Sequence, residues 1–223
     1  MTFDLVIFDC DGTLVDTEYA NNLATIELLH EQNLTQYDMA HAMENFVGKR
    51  FNVILNDITE ETGNTFPDDM SARYIKRATD LLPTHIKTIA GAEELVRAAQ
   101  QNTKICVGSN GQRDNVIYSL ELAGLKDYFP DEHIFTGLDV PNPKPAPDLF
   151  LLAARKMGAK PAKCLVIEDS QGGATAGIAA GITTYGFVGV SHEPKTMRKT
   201  LLESVGVDAV FDDLIHIKEK HFA

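Results

Sequence analysis

The chain has 223 residues, 44% of them hydrophobic and 23% charged, with twenty Lys and Arg against thirty-two Asp and Glu. That is globular composition, long enough for one large α/β domain or for a domain carrying a smaller insert. The net charge of -12 repels polyanions and speaks against a nucleic-acid or anionic-membrane partner. No stretch approaches the roughly 18–20 continuous apolar residues that cross a bilayer. Met1-Thr2-Phe3-Asp4 carries no basic region, so neither a signal nor a transit peptide is expected. Cys10, Cys106 and Cys164 each sit in or at the end of an apolar run. They read as reduced, buried thiols, and with them a cytoplasmic location is expected.

The first run, Leu5-Val6-Ile7-Phe8, is short and continuously apolar, and Asp11-Gly12 follows close behind. It reads as a strand buried on both faces that ends in a turn, as in a parallel sheet. Similar runs recur at 104–108, 164–167, 183–188 and 209–211, with helical patterns at 91–101, 113–123, 146–157 and 172–180 between them. Strands alternating with helices predict βαβ units and a doubly wound parallel sheet. From about Glu18 to Leu82 the alternation stops. Leu23, Ile26 and Leu29 repeat at helical spacing, as do Phe51, Ile54, Leu55 and Ile58. Pro67 opens a third such pattern containing Met70, Tyr74, Ile75, Ala78 and Leu81. This predicts an all-helical insert over 17–83, with the α/β core formed by 1–16 and 84–223.

Asp9 and Asp11 stand at the carboxyl end of the first strand, where doubly wound sheets bind ligands. Asp11-Gly12 alone equally describes a turn. Two close carboxylates at a buried strand end need neutralising, however, and an oxygen-only donor set points to Mg²⁺. Glu168-Asp169-Ser170 ends a second buried run, so its acids converge on the same ion if the two strands are neighbours. A helix cap by Asp169 or Ser170 is the alternative, and one motif of three residues accommodates both. Ser109-Asn110-Gly111 after the strand at 104–108 reads as a phosphate cradle or, as readily, a plain helix cap. Lys144 lies among Pro141, Pro143, Pro145 and Pro147, which suggests a cation held in place rather than a mobile surface lysine.

Together and in this order, Asp9-Cys10-Asp11-Gly12-Thr13, Ser109, Lys144 and Glu168-Asp169 resemble the four motifs of the haloacid dehalogenase superfamily. The resemblance spans essentially the whole chain, with the insert standing where one branch carries a helical cap. It implies a Rossmann-like core and a nucleophilic Asp9, with Asp11 as general acid and base. Ser109 and Lys144 would hold the phosphoryl oxygens. Mg²⁺ would sit on Asp9, the Asp11 backbone carbonyl and Asp169, with Glu168 supporting it directly or through water. Asp11 argues against the dehalogenase and phosphonatase branches, which lack that second aspartate.

What remains is a phosphatase acting on a small phosphorylated metabolite, with a β-phosphoglucomutase-like sugar phosphomutase as the alternative and a non-catalytic binding module far behind. The segments 9–18, 109–111, 128–131 and 144–148 resemble sugar-phosphate phosphatases most, with 6-phosphogluconate among the candidate substrates. Substrate choice falls to the cap. Gly48-Lys49-Arg50 matches the specificity loop and, with Asn110, completes the expected substrate-binding set; a solvated basic turn is the plain alternative. Arg73, Lys76 and Arg77 equally describe an ordinary polar helix face. The oligomeric state is left open, a monomer being compatible with all of this.

Overall fold

The structure, a computed structural model, describes residues 2–46, 49, 51–190 and 195–222. The chain divides into two compact units, Met1–Asp16 with Lys87–Ala223, and Thr17–Ile86.

The first unit is built on a parallel sheet. Its strands are β1 (Leu5–Phe8), β4 (Lys104–Ser109), β5 (Ile134–Thr136), β6 (Cys164–Glu168), β7 (Thr183–Phe187) and β8 (Ala209–Phe211), in the order β5-β4-β1-β6-β7-β8. β1 is central because it is apolar at every position, and all four of its residues are fully buried. Leu5 lies opposite Lys104 and Cys164, and Phe8 opposite Val107 and Ile167, so β1, β4 and β6 run level. Leu5, Ile7, Cys106 and Val166 face α7 (Asp148–Lys156) and α8 (Gln171–Ala179) through Leu149, Phe150, Ala153 and Ala176. The alternate residues point the other way, where Phe8 meets Phe129 edge-on at 6.1 Å. The remaining helices are α5 (Ala92–Asn102), which packs on α10 (Leu214–His221), then α6 (Arg113–Leu122) and α9 (Lys195–Ser204). A short antiparallel ribbon of β2 (Val15–Asp16) and β3 (Lys87–Thr88) holds the two ends of this unit's interruption side by side.

Several elements depart from the sequence expectation. The ribbon, with two residues per strand, is too short to leave a periodic signal, and β5 is an addition to the expected strands although β8, equally short, is among them. The helix expected over 146–157 begins only at Asp148, because Pro147 disfavours helical backbone at Ala146 before it.

The second unit is all helical: α1 (Glu18–Glu31), α2 (Met39–Asn45), α3 (Phe51–Thr62) and α4 (Met70–His85). Leu28, Leu29, Ile54, Ile58 and Met70 form its core, and Phe51 stacks on Tyr74 at 4.3 Å. α4 continues through Pro83 to His85, since the proline falls in the last turn. Arg77 bridges α4 to Glu27 at 2.5 Å and to Glu31 at 2.8 Å on α1, and Arg73 also pairs with Glu31. Among the described residues, no helix is long and apolar enough to cross a membrane.

Close helix–sheet packing depends on glycine in α8. A Cβ on Gly177 would lie 2.3 Å from Thr184 Oγ1 on β7, whose hydroxyl donates to the Ile182 carbonyl. Gly177→Ala is therefore expected to lower stability by about 1–3 kcal/mol through overpacking. Urea unfolding would show a lower midpoint at unchanged slope; an unchanged midpoint would count against this contact.

Candidate active site

The site forms where β1, β4 and β6 end. One step beyond the aligned pair Phe8 and Ile167 stand Asp9 and Glu168, both buried. The Asp9 N–H donates to the Ile167 carbonyl at 3.0 Å, which extends the ladder and fixes where its side chain emerges. The chain then turns: the Cys10 carbonyl accepts from the N–H groups of Thr13, Leu14 and Val15 at 3.3, 2.9 and 3.1 Å. Gly12 sits in this turn at φ +87°, and a Cβ there would lie 2.2 Å from Asp169 Oδ2. Asp-Gly is thus a turn signal and also the opening through which Asp169 approaches the β1 turn.

Lys144 is the buried cation of the site, 4% exposed. Its Nζ donates to Asp9 Oδ1 at 2.6 Å and to Glu168 Oε1 at 2.8 Å, and lies 4.8 Å from the centroid of the Phe150 ring. Burial alone would lower its pKa, but Asp9 and Glu168 outweigh that and raise it above the ordinary lysine value. The lysine is held by its main chain as well. Asn110 Nδ2 donates to the Lys144 carbonyl at 2.9 Å, and the Lys144 N–H donates to Asn110 Oδ1 at 3.1 Å. The Lys144–Pro145 peptide is cis.

The other Glu168 oxygen, Oε2, accepts from the Ser170 N–H at 2.7 Å and from its hydroxyl at 2.9 Å, while Ser170 Oγ accepts from the Gly173 N–H at 3.0 Å as the α8 N-cap. A Cβ on Gly173 would lie 1.6 Å from Glu168 Oε1, so the bare helix turn makes room for the carboxylate. Ser109 Oγ, at the end of β4, accepts from the Gly111 N–H at 3.0 Å. Asp11 is exposed and borders the same loop: the Cβ position of Gly111 is 3.3 Å from Ser109 Oγ and 3.8 Å from Asp11 Oδ2.

Asp9, Glu168 and Asp169 each offer an oxygen within 4.8 Å of the others. Burial pushes the Asp9 carboxyl well above the usual aspartate value, Lys144 pulls it back, and Glu168 and Asp169 add to the rise. Asp169 is lifted to about 7 by burial and by Glu168, against the pull of Arg198. Crowded buried carboxylates, all-oxygen and short of cation, fit a hard divalent ion such as Mg²⁺. Burial likewise raises the Cys10 thiol, which is therefore inert as a nucleophile.

Residues 6–187 match the family model of the haloacid dehalogenase-like hydrolases. The chain belongs to the haloacid dehalogenase-like hydrolase family. It is 32% identical over 191 residues to 6-phosphogluconate phosphatase of Escherichia coli K12, covering 85% of this chain and 84% of that one. A conserved haloacid dehalogenase-like protein from Agrobacterium tumefaciens C58 superposes with TM-score 0.84 at 30% identity, covering 98% and 97% of the two chains. A member from Deinococcus radiodurans R1, solved with bound phosphate and sodium, gives 0.80 at 30% identity with coverage of 98% and 94%.

In this haloacid dehalogenase-like chain, the residues expected from sequence fall into distinct groups. Asp9, Ser109, Lys144, Glu168 and Asp169 occupy one end of one sheet, with Asp11 on the adjoining turn. The Asn110 amide, expected to bind substrate, is engaged on both its atoms by the Lys144 main chain. Lys49 lies in the helical unit, exposed and paired with Asp57 at 2.8 Å, while Gly48 and Arg50 fall outside the described residues. Sequence reasoning missed Arg198 of α9, whose Nη2 donates to Asp169 Oδ2 at 2.5 Å and to the Asp169 carbonyl at 2.9 Å. A lone arginine in a polar helix carries no signal that would single it out.

The raised Asp169 carboxyl has a signed consequence for metal-free protein. Between about pH 4 and 7 the folded state holds a proton that the unfolded chain has lost, so stability falls as pH rises through that window. Chelator-treated wild type should lose more stability across it than Asp169→Asn, measured as denaturant midpoints at each pH. Equal slopes for the two proteins would refute the assignment.

Proposed function

We propose that this protein is a Mg²⁺-dependent phosphatase that hydrolyses small sugar phosphates through an aspartyl-phosphate intermediate on Asp9. The observation that carries the reading is the buried Lys144, held between Asp9 and Glu168 at the sheet end where Asp169, Ser109 and Asp11 also gather. The lysine aims the Asp9 carboxylate and opposes the rise that burial causes, which favours the ionised form a nucleophile requires. Two of the three Lys144 donors are engaged by Asp9 and Glu168, which leaves one for an oxygen of the transferring phosphoryl group. Support for the substrate class comes from the resemblance to 6-phosphogluconate phosphatase, and support for an oxyanion pocket from the relative solved with phosphate.

In this mechanism an Asp9 oxygen attacks phosphorus, and the bond from phosphorus to the sugar oxygen breaks. Asp11, on the exposed side of the turn, gives its proton to the departing oxygen. It then takes a proton from water as that water attacks phosphorus, and the bond to Asp9 breaks to release phosphate and restore the carboxylate. Ser109 and Lys144 hold the phosphoryl oxygens while charge shifts onto them. Asp9 and Asp169 would hold Mg²⁺, with the Asp11 carbonyl as a further ligand. There the ion would screen the carboxylate from the phosphate it attacks. Glu168, whose oxygens take Lys144 on one side and Ser170 on the other, would support the ion directly or through water.

Phosphate release from a sugar-phosphate panel that includes 6-phosphogluconate should require Mg²⁺ and stop with EDTA. Asp9→Asn should remain folded and lose turnover by a factor on the order of 10³ or more, as expected for loss of a covalent nucleophile. Turnover near wild type in that variant, or undiminished release in EDTA, would overturn the proposal. Isomerisation of glucose 1-phosphate with little release would favour a mutase.

A further inference from the structure

The buried carboxylates of the site do not share one counter-ion. Lys144 serves Asp9 and Glu168. Asp169 has a separate cation, Arg198, and the two side chains are only 12% and 13% exposed. Arg198 comes from the first half of α9, beyond residues 6–187 that match the family model, so it is a feature of this chain outside the matched span.

The geometry of the contact is unusual for a simple strut. One nitrogen, Nη2, is shared between two acceptors of the same residue: the carboxylate Oδ2 at 2.5 Å and the main-chain carbonyl at 2.9 Å. A cation in this position satisfies the acidic cluster when no metal is bound. The same cation repels a divalent ion arriving at the same carboxylate from a few ångströms away, in a site where water screens poorly.

We propose that Arg198 is the built-in counter-ion of the metal site, covering Asp169 in the metal-free protein and weakening Mg²⁺ binding by the same interaction. This rests on the reading of Asp169 as a metal ligand. The two effects are linked: whatever Arg198 contributes to the metal-free fold by pairing with Asp169 is subtracted from the affinity for the ion. Arg198 would thereby keep the sheet end stable before loading and hold metal exchange in a weaker range.

The test compares chelator-stripped wild type, Arg198→Gln, Arg198→Lys and Asp169→Asn by calorimetric Mg²⁺ titration and by melting with and without saturating Mg²⁺. Arg198→Gln should melt lower than wild type without metal, show a larger Mg²⁺-induced rise, and bind Mg²⁺ about tenfold more tightly. Arg198→Lys keeps the charge and should stay within about threefold of wild type. A Gln variant that folds only with Mg²⁺ present would meet the same expectation. Equal or weaker Mg²⁺ binding by Arg198→Gln, tightening by Arg198→Lys to the same extent, or a Gln variant unfolded with or without Mg²⁺ would overturn the proposal and make Arg198 a structural strut. If wild type and Asp169→Asn titrate alike, Asp169 is not a metal ligand. That outcome removes the foundation and is distinct from any failure of Arg198 itself.

Discussion

The buried ammonium of Lys144 is the interaction on which the site depends. An unpaired lysine at this depth would shed its proton. Held at 2.6 and 2.8 Å from the carboxylates of Asp9 and Glu168, it stays charged, and it pulls the Asp9 carboxyl back from part of the rise that burial imposes. Buried ion pairs are seldom good value as sources of stability, because desolvation consumes most of the attraction. The pairing makes more sense as preorganisation: charges in place before substrate arrives need no rearrangement when the phosphoryl group moves.

Supporting the lysine takes contacts from three directions. Asn110 closes a two-bond amide bridge to its main chain across a sequence gap of 34 residues, tying the loop after β4 to the proline-rich loop. Ser170 grips the far oxygen of Glu168 while capping α8, so the helix start and the acid are fixed by one residue. Gly173 supplies the space that lets that acid lie against the helix. Gly12 does the equivalent for Asp169 on the opposite side of the cluster. Two missing side chains therefore decide how closely the carboxylates at the end of β6 lie against the β1 turn and the start of α8, and a methyl group at either would have to displace a charge.

How much of this was legible in the sequence follows from what each part needs. Long buried strands announce themselves because both faces are apolar, so β1, β4 and β6 were readable and with them the placement of Asp9, Ser109 and Glu168. The β2–β3 ribbon was not, since two residues hold no period and their pairing comes from neighbours distant in the chain, and β5 was not although β8, equally short, was. In α8 the missing side chain of Gly177 makes room for Thr184 on the sheet and that of Gly173 for Glu168, a difference that a run of small residues does not announce. Asn110 pairs with a main chain 34 residues away, and local pattern reports no such pairing. Arg198 had still less to show, one of three cations in α9 beside Lys195 and Lys199.

The helical unit illustrates the same limit for specificity. Cations spaced along α4 look alike in sequence, whether they face a ligand or a neighbouring helix. Arg73 and Arg77 commit their charge to Glu27 and Glu31 on α1, and Lys76 pairs with Asp80 within its own helix. Exposed pairs of this kind are worth little individually, but two arginines sharing Glu31 form a small network that clamps α1 to α4. Lys49 and Asp57 likewise form a pair whose side chains are nearly half exposed. A weak, solvated pair is readily exchanged for a stronger anion. By exposure, Lys76 with Asp80 and Lys49 with Asp57 are therefore the cations held least, while Arg73 and Arg77 are committed to α1.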